Sequence, residues 1–415
     1  MDDASLDVSG FSKEGLAKIP PMLQGVVDAG ALSGAVTLLW RNGQIAQVNT
    51  VGYRNIAEKA PMQRDTIFRI ASMTKPITSV AIMQLMEEGK LRLDDPITKW
   101  APEFAGMKVL KDAQGPLDEV YDAPRDITID DLLTHRAGLA YGFTSVGPVA
   151  YAHQKALGDV LNSDMTPGAW MAALGGLPLS YAPGERFHYS HATDVLGYLV
   201  GRIDGKPFRQ SLIDRIFKPL GMKDTDFYFP LDKRDRAATV YKATPDGTLE
   251  PVKFKMYDEA PNFTGGGGGL VSTVDDYLTF IRMLMGKGEV DGVRLLKPET
   301  VDLMLTNRLT PAQREITFMG LPFWMGQGFG LGLSIVDDAD KQSWMGATAN
   351  GAFSWPGAFG TWWRGDPANN MIMIYMIQNS ISLEPEAVSQ LATGQRAEGQ
   401  MALPIFQNLT YEALK

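Results

Sequence analysis

A chain of 415 residues, 45% hydrophobic and 21% charged, is long enough to bury a large core, and it contains no run of the roughly 20 apolar residues that cross a membrane. The formal charge of −9, the sequence pI near 5.1 and the absence of any dense Lys/Arg run leave no positive field for nucleic acid or an anionic membrane, so neither is expected as a partner. Zero cysteines exclude disulfides, thiolate nucleophiles and Cys-based metal sites.

The opening Met1-Asp2-Asp3-Ala4-Ser5 is acidic and precedes no apolar stretch. It reads as no signal peptide, which makes a cytoplasmic location the expectation, although a processed secreted chain would read alike. Residues 14 to 29 predict a modest amphipathic helix. Gly34–Trp40 and Ile45–Val48 flank Arg41-Asn42-Gly43-Gln44. Asn-Gly supplies the positive φ angles of a tight turn, so these two runs predict a β-hairpin.

In Phe68-Arg69-Ile70-Ala71-Ser72-Met73-Thr74-Lys75-Pro76, a serine and a lysine stand three residues apart at the start of a predicted helix over 73 to 88. Ile77, Val80, Ala81, Leu85 and Met86 supply its period, and Gly89 closes it. Pro76 belongs in a first turn, which puts Ser72 at or next to the N-cap and on one face with Lys75. A serine is a weak nucleophile until a base takes its proton, and a lysine does so only where its surroundings favour the neutral amine. The free N–H groups of a helix start can hold an oxyanion. The same spacing also describes a capping serine beside a solvated lysine.

A long region of short helices and Pro/Gly-rich loops follows. Ile129–Leu139 reads as a short helix ended by glycine, with His135 a buried structural histidine rather than a catalytic one. In Pro183–Leu199 a loop enters a helix, with Tyr189 and Ser190 near its start. A tyrosine beside a lysine suits proton shuttling, though a tyrosine is more often a packing residue. His188, His191 and Asp194 have the spacing of metal ligands, but no HExxH or further cluster accompanies them, so no metal is expected.

Residues 265 to 269 are five glycines, which read as a close backbone approach rather than a phosphate loop, and Thr273 with Asp276 reads as a capping box. Phe329–Val336, Gly351–Ser354, Gly360–Arg364 and the continuously apolar Met371–Ile377 predict strands, the last central. Pro404–Leu414 predicts a terminal helix. Strands at both ends with helices between them imply an α/β fold: one sheet built from the two termini, with a helical subdomain inserted.

Five stretches in register resemble the serine β-lactamase-like proteins: Ser72-Met73-Thr74-Lys75, Leu132-Leu133-Thr134-His135 with Gly138-Leu139, Tyr189-Ser190, the glycine run before Leu270-Val271-Ser272-Thr273, and Trp355-Pro356-Gly357. The likeness covers about residues 15 to 412 and is greatest to the family VIII carboxylesterases, which share the class C β-lactamase and penicillin-binding-protein fold. It implies a single β-lactamase-like domain, an antiparallel sheet with flanking helices, whose α/β part spans about 1–90 and 325–415 and whose helical part spans about 91–324. It implies Ser72 as the acylated nucleophile, Lys75 as its activating partner, Tyr189 as the proton shuttle, and the backbone N–H groups of Ser72 and Ala358 as the oxyanion hole. Two departures bear on specificity. His191 stands where the β-lactamases carry a substrate-binding asparagine, and Trp355-Pro356-Gly357 replaces Lys-Thr-Gly. Pro356 within a strand would confine that strand to an edge or bulge bordering the cleft. Trp355, Gly357, His191, Phe353 and Tyr141 are the expected substrate-binding residues, with Phe359, Trp362, Phe323, Trp324 and Phe143 as further candidates for an apolar pocket. The expectation is a serine esterase that needs no cofactor and cleaves small carboxylic esters. A β-lactamase or D,D-peptidase of the same fold, and a binding protein that has lost catalysis, are the alternatives.

Overall fold

Met371–Met376 is buried at every residue and alternates between two cores, which is the organising fact of the fold. Ile372, Ile374 and Met376 join the larger core, and Met371, Met373 and Tyr375 join a smaller one on the opposite face of the sheet. A strand with two buried faces is apolar throughout, and a one-residue slip would exchange every side chain between the cores. The structure, a computed structural model, describes residues 9–380 and 398–414 apart from 146, 160, 162, 245, 246 and 319.

The main sheet has eight strands: β1 (Gly34–Arg41), β2 (Gln44–Asn55), β3 (Ala60–Pro61), β4 (Gln327–Phe329), β5 (Ser334–Val336), β6 (Phe353–Ser354), β7 (Trp362–Asp366) and β8 (Met371–Met376). Their order is β4-β5-β6-β7-β8-β1-β2-β3, antiparallel at every step, so the two ends of the chain meet where β8 pairs with β1. Asn42 and Gly43 take φ of 52° and 88° in the β1–β2 turn, as Asn-Gly predicts.

Six helices matter to the site and its support: α1 (Ile19–Asp28), α2 (Thr74–Glu87), α3 (Ile129–Leu133), α4 (Ala192–Asp204), α5 (Val274–Met285) and α6 (Glu398–Glu412). Ile19, Leu23 and Phe406 of α1 and α6 belong to the smaller core; Tyr277, Phe280 and Ile281 of α5 belong to the larger one on the other face. All but three of the 14 residues of α2 are buried, so it is a central helix rather than an amphipathic surface one.

Several predicted boundaries move, each for a local reason. The helix expected over 14 to 29 breaks into Lys13–Leu16 and α1, because Pro20 and Pro21 fit a first turn and not an interior. The strand expected over Phe329–Val336 is the hairpin β4–β5, turned at Gly330 and at Gly332, whose φ is 94°. Pro356 lies in the loop after β6, and β6 is interior in the sheet order rather than an edge. Gly357 N–H donates to the Thr361 carbonyl at 2.7 Å and closes that loop before β7 begins. Only half of the predicted capping box forms: Thr273 accepts from Asp276 N–H, while the Asp276 carboxylate turns away to accept from Asp224 N–H and the Thr225 hydroxyl. Helix α3 ends before Gly138, with His135 in the left-handed region at φ 51°; α6 begins ahead of Pro404 and contains it.

Candidate active site

Ser72 lies in a single 3₁₀ turn, Ala71–Met73, immediately ahead of α2, so it precedes the helix cap rather than forming it. Ala71 before it takes φ 44°, a left-handed conformation costing a non-glycine residue about 1–2 kcal/mol. Its methyl group packs with Val240 and Phe359, which hold the turn in place. One turn on, the buried Lys75 ammonium donates to Ser72 Oγ at 3.2 Å, to the Tyr141 hydroxyl at 3.2 Å and to the Gly267 carbonyl at 2.6 Å. An ammonium has three N–H donors, and these three acceptors occupy them all.

From the opposite side the Tyr189 hydroxyl donates to Ser72 Oγ at 2.7 Å and itself receives the Trp355 indole N–H at 3.1 Å. The Lys75 ammonium lies 4.5 Å from the centre of the Tyr189 ring. Tyr189 belongs to the loop entering α4, and that loop is tied to the segment after α3. His188 N–H donates to the His135 carbonyl at 2.7 Å, and the Thr144 hydroxyl donates to the Tyr189 carbonyl at 2.8 Å. A Cβ on Gly138 would stand 1.9 Å from the Tyr181 carbonyl oxygen, so only glycine lets these two segments meet. His135 is buried beneath the Tyr189 ring, accepting Ser190 N–H on Nδ1 at 3.3 Å. Burial first and the Lys75 charge second hold its imidazole well below the usual range, which fits a neutral structural role.

Behind Lys75 is a second tier that the motif spacing does not reveal. Asp194 accepts Gly267 N–H at 2.8 Å on one carboxylate oxygen and faces His191 Nδ1 at 2.9 Å on the other. The carboxylate therefore fixes the peptide whose carbonyl holds Lys75. Burial, with Asp194 and Tyr189 nearby, pushes the Tyr141 hydroxyl well above its ordinary range and keeps it neutral. The five glycines make this possible, since a Cβ on Gly267 would stand 2.8 Å from the Tyr141 hydroxyl and 2.9 Å from Asp194.

The expected substrate-binding residues separate. His191 is buried and ringed by Tyr141, Trp170 and His153 at 4.3, 5.3 and 6.0 Å, so it supports Asp194 instead of facing a ligand. Phe353 covers Gly365 and packs on Trp363 in the core, and Trp362 sits in the smaller core on the far face of the sheet. Trp355 supports Tyr189 and packs edge-to-face with Phe329, with Phe323 at 6.0 Å and Trp324 in contact with Phe323; Tyr141 is at Lys75, with the exposed Phe143 stacked on it. Gly357 lies against the Ile70 carbonyl, where a Cβ would come within 2.4 Å, so the loop carrying Ala358 docks directly ahead of Ser72. Ala358 is exposed, and its backbone N–H meets no acceptor among the described residues. Asp194, the Gly267 carbonyl and the indole N–H of Trp355 are the site members not assigned these roles by the sequence. Among the described residues no group of acidic and histidine side chains could hold a metal.

Comparison with known proteins gives a consistent result. The Beta-lactamase family model matches residues 21–395. Protein Rv1367c of Mycobacterium tuberculosis (strain ATCC 25618 / H37Rv) is 50% identical over 395 residues, covering 94% of this chain and 97% of that protein. Esterase EstB of Burkholderia gladioli is 30% identical over 401 residues, covering 91% and 94%. The solved structure of EstCE1, described as a hydrolase with promiscuous acyltransferase activity, aligns with a TM-score of 0.79 at 27% identity over 96% of this chain and 99% of that one. Family match, near full-length relatives and shared architecture agree, and the chain belongs to the beta-lactamase family, as a serine hydrolase of that fold.

Proposed function

We propose that this chain is a carboxylic-ester hydrolase that works through an acyl-enzyme on Ser72. The observation that carries the reading is that Ser72 Oγ is reached at once by the Lys75 ammonium and the Tyr189 hydroxyl, at 3.2 and 2.7 Å. Ser72 Oγ attacks the ester carbonyl carbon while its proton leaves to the Lys75–Tyr189 pair, which enters the step one proton short of the ammonium–phenol state, with Lys75 as the free amine or Tyr189 as the phenolate, so that the pair has a site for that proton. The carbonyl oxygen becomes an oxyanion facing the backbone N–H groups of Ser72 and Ala358, each such donor being worth about 3 to 4 kcal/mol. Collapse expels the alcohol, which takes the proton from Tyr189; water then repeats the sequence on the acyl-enzyme and releases the acid. The Trp355 indole N–H stabilises negative charge on the Tyr189 oxygen whenever that oxygen has given its proton up.

Preference for esters over β-lactams rests on what the cleft lacks. His191 is turned inward onto Asp194, and Trp355-Pro356-Gly357 offers no cation for a β-lactam carboxylate. Each unpartnered polar group on a bound β-lactam costs about 1 to 3 kcal/mol, whereas a small neutral ester has few to satisfy. Two relatives carry the word esterase in their names, EstB and the lovastatin esterase of Penicillium rubens, the latter 30% identical over 394 residues.

A panel of p-nitrophenyl esters beside nitrocefin and a D-Ala-D-Ala peptide tests the proposal. Short-chain esters should show kcat/KM at least about 10² above nitrocefin, and Ser72→Ala should abolish the activity. Comparable values for ester and nitrocefin would reassign the chain as a β-lactamase; turnover of the peptide alone would make it a D,D-peptidase.

A further inference from the structure

A lysine nitrogen is tetrahedral, with one direction taken by its own side chain and three left for partners. At Lys75 the Gly267 carbonyl takes one of them at 2.6 Å and the Tyr141 hydroxyl another at 3.2 Å, so the last faces Ser72 Oγ at 3.2 Å. That direction carries an N–H in the ammonium and a lone pair in the free amine, so the same two contacts aim the nitrogen at the serine in either state. A carbonyl only accepts, and the Gly267 oxygen therefore keeps an N–H turned away from Ser72 throughout.

Gly267 cannot hold its carbonyl there unaided, because a glycine has the widest choice of backbone angles. The peptide unit that joins Gly266 to Gly267 is tied at both ends: the Thr78 hydroxyl donates to the Gly266 carbonyl at 2.8 Å, and the Asp194 carboxylate accepts Gly267 N–H at 2.8 Å. Thr78 lies on α2 one turn beyond Lys75 and Asp194 lies on α4, so the glycine turn is pinned between the two helices. Asp194 is itself fixed. Its other oxygen faces His191 Nδ1 at 2.9 Å, and the two side chains are 2% and 5% exposed. Among the described residues no ion pair joins Asp194 to Lys75, so its hold on the lysine runs through the Gly267 carbonyl.

We propose that Asp194 is a positioning residue for acylation and deacylation: by holding Gly267 N–H it keeps the Gly267 carbonyl on Lys75, and so keeps the lysine nitrogen pointed at Ser72 Oγ. The role calls for an acceptor oxygen at that point rather than for a charge. The proposal rests on the Ser72 acyl-enzyme reading above and adds to it a residue that touches neither the substrate nor the nucleophile.

Two substitutions separate the acceptor from everything else Asp194 supplies. Asp194→Asn keeps an oxygen for Gly267 N–H and can give its amide to His191 Nδ1, whereas Asp194→Ala leaves both without a partner. Turnover of p-nitrophenyl butyrate per fluorophosphonate-titrated site and the rate of fluorophosphonate labelling of Ser72 are measured side by side. In Asp194→Ala both kcat and the labelling rate should fall about 10²-fold with KM within about 3-fold, the loss expected of a misplaced catalytic group. In Asp194→Asn both rates should stay within about 10-fold of the unsubstituted protein. A merely structural role would lower the number of titrated sites and leave kcat per site unchanged. Tyr141→Phe, which keeps the ring and removes the other acceptor on Lys75, serves if Asp194→Ala does not fold, and should slow labelling about 10-fold. Unchanged rates in Asp194→Ala or Tyr141→Phe, or an asparagine variant as slow as the alanine one, would overturn the positioning role and leave the esterase intact. Asp194-dependent labelling in a chain that hydrolyses no ester would overturn the esterase and leave the positioning role.

Discussion

Trp355 illustrates how far single residues were legible. Its motif marked it as a cleft residue, yet its ring is buried and its indole N–H goes to the Tyr189 hydroxyl. Removing that donor leaves the tyrosine oxygen without its support, so Trp355→Phe should lower kcat by about 10- to 100-fold while leaving KM for a small ester within a few-fold; burst kinetics should place the loss in acylation and deacylation alike. Lys75 makes three donations from a buried position, and arginine can neither reproduce that compact geometry nor surrender a proton near neutral pH. Lys75→Arg should therefore be nearly as damaging as Lys75→Ala, at about 10³-fold or more in kcat/KM; an arginine variant retaining a tenth of the activity would reduce Lys75 to a source of positive field. Ser72, Lys75 and Tyr189 stand out through the resemblance of five stretches in register, since spacing alone describes a capping serine, a solvated lysine and a packing tyrosine equally well; the structure brings the Lys75 and Tyr189 side chains to Ser72 Oγ. His191 could not be placed correctly, since nothing in its spacing says that Asp194, three residues on, draws its ring inward.

Among the elements, the loop of five glycines does most to join the helical region to the nucleophile. Its sequence announced a close approach, and the approach is real: a Cβ on Gly266 would stand 2.5 Å from the Thr193 carbonyl oxygen and 3.1 Å from Gly197 Cα, both of them backbone atoms that cannot swing aside. Gly266→Ala should destabilise the protein by about 1–3 kcal/mol and cut activity as well, because moving this loop moves the Gly267 carbonyl off Lys75. Gly168, exposed in the first turn of the helix Pro167–Gly175 with open space around it, is the control; Gly168→Ala should stabilise by about 0.5–1 kcal/mol in a urea titration. Equal effects at the two glycines would refute the packing account. What the glycines concealed was direction: composition says that two backbones meet, while which carbonyl faces Lys75 depends on Asp194 fixing one peptide from a helix 73 residues away. Boundaries failed for the same kind of reason. Met371–Met376 reads as a central strand because burial on both faces leaves an unbroken apolar run, whereas the β4–β5 hairpin reads as one strand because Phe329, Leu331, Leu333, Ile335 and Val336 carry the apolar pattern straight through Gly330 and Gly332, where the chain turns.

For the molecule as a whole, the sheet assembled from both termini was legible because strand patterning sits at the two ends and helical patterning between them; the pairing of β8 with β1 that closes it is a long-range register that no local pattern records. The same burial makes the fold sensitive to acid. Burial, with the nearby Lys75, holds His135 well below its usual range; burial, with His191, holds His153 at about 3; and burial, with Arg186, holds His188 at about 4. Because these folded-state values lie below the unfolded value near 6.5, the unfolded chain binds protons that the folded chain refuses, and stability present above about pH 6.5 is lost as pH falls toward 4, at up to about 1.4 kcal/mol per pH unit for each histidine. Asp276, raised by burial to about 6, runs the opposite way, but it is one carboxyl against three imidazoles. The urea midpoint should thus fall between pH 7.5 and 5.5; a flat or rising midpoint would mean that these rings are already charged or solvated. All of the chemistry, however, depends on one side chain. Treatment with a fluorophosphonate followed by intact-mass and peptide mapping tests it most directly: the account predicts a single adduct, on Ser72, that is lost in Ser72→Ala. An adduct on Ser145 or Ser334, or labelling that survives the alanine substitution, would contradict it.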